Sequence, residues 1–191
     1  MLTHKGTQTL HTERMTLRRF TVDDAQQMYD NWAKDPRVTR FLTWQPHASP
    51  EFTAELLSEW VAAYIAPSNY NWVMEYEGQC IGNISVVRCS DKSEYAELGY
   101  CMGCDYWTKG LMTEAAKAVI SFLFDEVGCH RVVIRHAVKN PASGRVAQKC
   151  GLTYEGTERE TFKIREGVFL DIAGYAVLRN EWTERQQQNQ P

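Results

Sequence analysis

The feature that most constrains the fold is a strand, turn, helix and strand in the second half of the chain. Tyr95 to Gly103 reads as a strand. The turn Tyr106-Trp107-Thr108-Lys109-Gly110-Leu111-Met112-Thr113-Glu114-Ala115 then opens the strongest helical pattern in the sequence, roughly Leu111 to Val127. Met112, Ala116, Val119, Ile120, Leu123 and Val127 form its apolar stripe, and Gly128 is placed to cap it. Arg131 to Val138 follows, rich in β-branched residues. Such a unit makes its two strands parallel neighbours. Glycine at the mouth of a helix lets backbone approach a ligand closely. The first amides of a helix lack partners and sit at the positive end of the dipole, so the place either suits phosphate or is simply a helix whose start contains a glycine.

The rest of the chain builds around that unit. Residues 1 to 12 read as a polar lead-in and Met15 to Phe20 as a strand. Thr21 starts a helix that ends at Asp35-Pro36, and Ser49-Pro50 starts a second that breaks at Pro67. Tyr70–Tyr76, Cys80–Val87 and Tyr95–Gly103 make an antiparallel meander. Pro141–Cys150 is a short helix closed by Gly151. Leu152–Arg159 and Val168–Leu178 are the last strands, joined by a turn over Lys163–Gly167. No linker or repeat interrupts the pattern, so residues 1–182 are expected to form one domain, followed by a polar tail at 183–191.

A net charge of −3 gives no general pull toward nucleic acid or an anionic membrane. No apolar run approaches the roughly 20 residues of a membrane span. Cys101-Met102-Gly103-Cys104 is a C-x-x-C, but no second pair or histidines at zinc-ligand spacing accompany it, and it ends a strand rather than opening a helix. Most of the cysteines read as buried thiols and no metal is expected. Without a signal-like apolar core at the start, the expected compartment is the reducing cytoplasm.

Two segments carry a family resemblance: the Gly110 turn, and Val138-Lys139-Asn140-Pro141-Ala142-Ser143-Gly144-Arg145-Val146-Ala147-Gln148-Lys149-Cys150-Gly151-Leu152. Together they resemble the GNAT superfamily of acyl-CoA-dependent N-acetyltransferases. Asp35-Pro36-Arg37-Val38-Thr39-Arg40-Phe41-Leu42-Thr43-Trp44 is similar to its RimJ/RimL-type branch, whose founding members acetylate N-terminal amines of ribosomal proteins. The order of elements from Thr12 to about Trp182 agrees, so the resemblance covers nearly the whole chain. In the superfamily pattern Gln/Arg-x-x-Gly-x-Gly/Ala, Gly110 matches, while Trp107 and Met112 depart in a manner similar to this branch.

The resemblance implies an α/β (α+β) GNAT fold. Its sheet would be central, twisted, mixed and mostly antiparallel, with six to seven strands, about four helices and a splayed parallel pair. The strand before the loop would carry a bulge. Cys101, Met102 and Gly103 would lie along the pantetheine of acetyl-CoA, with one amide polarising the acetyl carbonyl. The amides of Trp107, Thr108, Lys109, Gly110, Leu111, Met112 and Thr113 would hold the pyrophosphate. The Thr113 hydroxyl would add a bond there, and Lys109 is either a phosphate partner or a solvated loop lysine. Asn140 would orient the pantetheine. Many members place a tyrosine seven residues after this asparagine to protonate the thiolate; Ala147 stands here. Ser143, three after it, is the branch's alternative, or else a helix-start cap. Glu97 is the first candidate for the general base, against a solvent-facing strand residue, and His136 reads as a satisfied core histidine. Arg37 is a further candidate for attracting an acidic acceptor.

The expected reaction is direct attack of a primary amine on acetyl-CoA in a ternary complex, without a metal. A protein or peptide N-terminal amine is the first acceptor. A small amine such as a polyamine, amino acid or aminoglycoside is the enzyme alternative, and a non-catalytic acyl-CoA-binding module the alternative of another class. By analogy with the fold a homodimer is possible.

Overall fold

The computed structural model describes residues 1–188. Eight strands form one sheet: β1 (Leu10–His11), β2 (Met15–Arg18), β3 (Asn71–Tyr76), β4 (Gln79–Ser90), β5 (Tyr95–Met102), β6 (Arg131–Ala137), β7 (Thr153–Arg165) and β8 (Val168–Leu178). Their spatial order is β1-β2-β3-β4-β5-β6-β8-β7. Among the described residues β5 and β6 make the parallel pair, and the other neighbours are antiparallel. The fold is the expected mixed α/β one, with a sheet one strand larger. The addition is β1, two residues inside what reads from sequence as a polar lead-in. That segment is also tied down, for Leu2 and Thr7 are buried and Thr7 Oγ1 donates to the Asn69 carbonyl.

Six α-helices complete the described chain: α1 (Ala25–Met28), α2 (Pro36–Thr39), α3 (Pro50–Ala63), α4 (Leu111–Phe122), α5 (Pro141–Lys149) and α6 (Arg179–Gln188). A wider π turn at Leu123–Val127 extends α4 to Gly128, as the stripe predicts. Leu111, Ala115, Val119 and Ile120 of α4 pack with Trp72, Ile84, Leu98 and Val132 on one face of the sheet. Each such apolar side chain stabilises by about 1.5–3 kcal/mol when buried. Phe20, Met28, Trp32, Leu57 and Val73 fill the opposite face. α6 carries Trp182 into the first core and continues the helix through the polar run from Thr183. Asn189 to Pro191 of the expected tail lie outside the described residues.

Asp24 links the first helical turn to the sheet. It accepts both forks of Arg18, at 2.8 and 2.9 Å, and the Thr21 amide at 2.8 Å. Burial penalises its charge, but those hydrogen bonds outweigh the penalty and hold its pKa below the ordinary carboxylate value. A depressed carboxylate contributes stability that is present above the unfolded pKa, about 3.9, and is lost as pH falls through the folded value. Asp24→Asn is therefore expected to cost about 2 kcal/mol near neutral pH, less than for a fully buried pair because Arg18 keeps some solvent contact. Thermal unfolding of both proteins from neutral pH down to about pH 2 checks this: the gap between them should close in acid.

Candidate active site

Pairing between β5 and β6 runs from Tyr95↔Arg131 to Leu98↔Ile134 and stops there. Both strands continue: β5 stays paired to β4 as far as Met102, and β6 stays paired to β8 as far as Ala137. Gly99–Met102 and Arg135–Ala137 therefore face each other across an opening with no ladder between them. The amide of Gly103 donates to the Ile81 carbonyl at 2.9 Å, on the β4 side. Backbone groups alternate along a strand, so the amides of Met102 and Tyr100 turn toward the opening and those of Cys101 and Gly103 away from it. The ladder irregularity lies between Val86 and Arg88 of β4, opposite Leu98 and Glu97. The additional residue is thus Val87 on β4, which corrects the expected bulge on β5.

The opening leads to the turn before α4. Gly110 stands at φ +80° as the N-cap of the helix. Thr108 also has positive φ, at 64°, a conformation unfavourable for a β-branched residue and associated with functional sites. The Trp107 amide donates to the Cys104 carbonyl at 3.2 Å and its indole to the Met102 carbonyl at 2.8 Å. Trp107 thus braces the turn rather than offering an amide to it, and the available donors begin at Thr108. Leu111 and Met112 bury their side chains and offer backbone amides only; with Thr113 they form the unpaired first turn of the helix. Lys109 Nζ lies over the Tyr106 ring at 5.2 Å.

Glu114 fixes this turn from below. It accepts the Thr12 hydroxyl at 2.6 Å, the Arg14 amide at 2.9 Å and Arg14 Nε at 2.7 Å. Arg14 in turn donates to the Lys109 carbonyl at 3.1 Å. Burial disfavours the Glu114 charge, but these donors prevail and its pKa is lowered. Glu114→Ala leaves several partners without an acceptor and is expected to lower stability by about 1–3 kcal/mol, measured by denaturant unfolding.

The helix α5 borders the other wall. Asn140 caps it, accepting the Ser143 amide through its side chain at 3.4 Å. The cap role therefore belongs to Asn140, and the Ser143 hydroxyl is engaged elsewhere. Its Oγ lies 2.8 Å from the Tyr100 hydroxyl, which also approaches the Ser143 carbonyl at 3.3 Å. Glu97 is buried, at 8% exposure, and accepts the Tyr95 hydroxyl at 2.7 Å with Arg88 at 4.0 Å. Strand alternation puts Glu97 with Gly99 and Cys101 on one face of β5, and Tyr100 with Met102 on the other. Ser143 and Glu97 consequently flank the opening from opposite faces.

Residues 14–153 match the family described as the acetyltransferase (GNAT) domain. The chain belongs to the GNAT acetyltransferase family. It is an acyltransferase of the RimJ/RimL-like branch. It is similar to the N-acetyltransferase YoaA of Bacillus subtilis, itself named as uncharacterized, with 27% identity over 172 residues, 89% of this chain and 96% of that one. The ribosomal-protein-serine acetyltransferase of Escherichia coli is 32% identical over 102 residues, 53% of this chain and 56% of that one. The solved structure of RimL, a ribosomal L7/L12 alpha-N-protein acetyltransferase in complex with coenzyme A, shares the fold with a TM-score of 0.82 at 19% identity, covering 91% of this chain and 99% of that one.

Within this GNAT domain the other residues singled out from the sequence take the following places. Ala147 is fully buried in the core beside α4. His136 Nδ1 donates to the Ala137 carbonyl at 2.8 Å, but its buried Nε2 faces Gly144 without a partner among the described residues, so it is not the fully satisfied core histidine expected. Arg37 is held by Asp35 at 2.6 and 3.0 Å. The six cysteines are free thiols, and Cys101 donates to Asn83 Oδ1 at 2.9 Å. Away from the opening, His4, Cys89 and Asp91 bring their ligand atoms within 4.8 Å of one another; His4 already bridges Asp91 and the Tyr70 hydroxyl, each at 2.9 Å. Tyr100, which meets Ser143 beside the opening, and Arg14, which holds the turn before α4, are residues that sequence reading missed. No helix among the described residues is long and apolar enough to cross a membrane.

Proposed function

We propose that this acyltransferase uses acetyl-CoA as donor and transfers the acetyl group to a protein or peptide N-terminal amine. One observation carries the donor assignment: β5 and β6 part after Leu98↔Ile134 and the opening ends at the unpaired first turn of α4. Pantetheine, an extended chain with amide groups, matches an unpaired strand edge, and a pyrophosphate matches the amides of Thr108 to Thr113. Thr113 adds its hydroxyl, Lys109 adds positive charge, and Asn140 has its side-chain nitrogen left for the pantetheine. An opening-facing amide, of Tyr100 or Met102, polarises the acetyl carbonyl.

The attacking amine must lose a proton, which Glu97 receives directly or through water. The C–N bond forms, the C–S bond breaks, and the electron pair stays on sulfur. Ser143 donates a hydrogen bond to that thiolate from the other face of β5. The acceptor assignment follows the name of the Escherichia coli relative.

Thiol release followed over a panel of peptides and small amines tests the acceptor. Turnover with peptide N-termini alone is expected. Turnover confined to polyamines, amino acids or aminoglycosides would replace the acceptor, and tight acetyl-CoA binding with no turnover would make the chain a binding module. Ser143→Ala is expected to lower kcat about 10-fold or more. Unchanged kcat at saturating substrate would remove the serine from this role.

A further inference from the structure

We infer that Tyr100 is a positioning residue for the thiolate leaving step, its hydroxyl orienting Ser143 so that the serine hydrogen points into the β5–β6 opening. The inference rests on the acetyl-CoA reading above and adds a residue that neither the superfamily pattern nor the branch pattern used above includes. The tyrosine position that the superfamily pattern uses is occupied by Ala147, which is buried in the core. A phenol nevertheless reaches the serine, from β5 rather than from α5, across 43 positions of sequence and at 2.8 Å.

A serine hydroxyl has one hydrogen and two acceptor positions. The Tyr100–Ser143 pair accordingly has two arrangements. In one, Ser143 donates to the tyrosine oxygen while Tyr100 donates to the Ser143 carbonyl at 3.3 Å. In the other, Tyr100 donates to Ser143 Oγ and the serine hydrogen is free. Negative charge on a sulfur in the opening favours the second, because a hydrogen bond to an ion is about twice as strong as a neutral one. The chain phenol to serine to thiolate is then mutually polarising. Burial pushes the Tyr100 hydroxyl well above its ordinary value, so it keeps its proton throughout. The proton released from the amine leaves by the Glu97 side, and no proton is lost from Tyr100.

The other titratable groups packed around the pair are His136 on β6 and Cys150 at the end of α5, while Cys101 lies on the opposite face of β5. Burial pushes Cys80, Cys101, Cys129 and Cys150 up to about 12 and Cys104 to about 11. The bound coenzyme A thiol is followed by its ultraviolet thiolate absorbance as the difference from the same protein without coenzyme A, which cancels the protein's own thiols, the exposed Cys89 included.

The experiment titrates coenzyme A bound to the unsubstituted protein, Ser143→Ala, Tyr100→Phe and the double variant, with calorimetric affinities alongside. The expected result is a thiol pKa raised by roughly one unit in each variant, with no further shift in the double one. Coenzyme A affinity and KM for acetyl-CoA should stay within about twofold while kcat falls in both single variants. A Tyr100→Phe titration like that of the unsubstituted protein, with Ser143→Ala shifted, would overturn the role of Tyr100. No shift in any variant that still binds coenzyme A would overturn the role of the pair. Weakened affinity without a thiol shift would make Tyr100 merely structural. Failure of the unsubstituted protein to bind coenzyme A would instead remove the donor reading, and this role with it.

Discussion

Gly110→Asp is expected to weaken acetyl-CoA binding by about 30-fold or more. Two effects separate here. The φ of +80° strains any side-chain-bearing residue, and that strain, about 1 kcal/mol, lowers stability with or without ligand. The carboxylate acts on binding: it places negative charge beside the phosphates at the helix start, where repulsion on the order of 2 kcal/mol or more corresponds to roughly 30-fold in Kd. Space is not the limit, because an added Cβ meets nothing nearer than Arg14 Nη2 at 3.6 Å. Gly110→Ala is thus the control, with a similar loss of stability and a small change in affinity. Calorimetric titration of both variants with acetyl-CoA checks this; equal affinities for Gly110→Asp and the unsubstituted protein would remove the phosphate assignment.

Gly82→Ala is the second large effect, and it acts through the sheet. Gly82 pairs with Met102. A Cβ there would collide with the Cys101 carbonyl oxygen and approach the Met102 Cα at 2.8 Å. Both are backbone atoms of β5, so no rotamer change relieves the contact and the two strands must move apart at the wall of the opening. Overpacking of this kind costs about 1–3 kcal/mol, occasionally more. In a domain of this size that lowers Tm by roughly 2–4 °C for each kcal/mol. The displaced wall should also raise KM for acetyl-CoA, since the Met102 amide faces the ligand. A variant with unchanged Tm would show that β4 and β5 yield there at little cost.

The crossover unit was legible because two independent periodicities meet at a glycine. The apolar stripe places α4 on the sheet, and Gly110 marks its mouth, where its φ is +80°. β8 has the expected bounds, and Asn140 opens α5 as the motif required. What sequence patterns left out are partnerships across distance. Arg14 reaches Glu114 and the Lys109 carbonyl from about a hundred positions away. Alternation places Tyr100 on the helix side of β5, but not which residue of α5 it meets. The Thr108 conformation runs against the preference of a β-branched residue, so only the fold around it can hold it. β1 is two residues long, below the length at which alternation is readable. The position of the bulge depended on the register of β4 against β5, and flanking patterns do not set that to one residue. Trp107 occupied the first motif position, yet its amide and indole both turn inward to brace the loop.

Hydrogen exchange with and without acetyl-CoA tests the site most directly. Segments covering Gly99–Met102, Thr108–Thr113 and Asn140–Ser143 should become protected when the donor fills the opening and its phosphates meet the start of α4. The α3 segment, packed with Phe20, Met28 and Trp32 on the other face of the sheet, should exchange unchanged. Saturating acetyl-CoA binding with protection confined to other segments would contradict a donor site between β5 and β6.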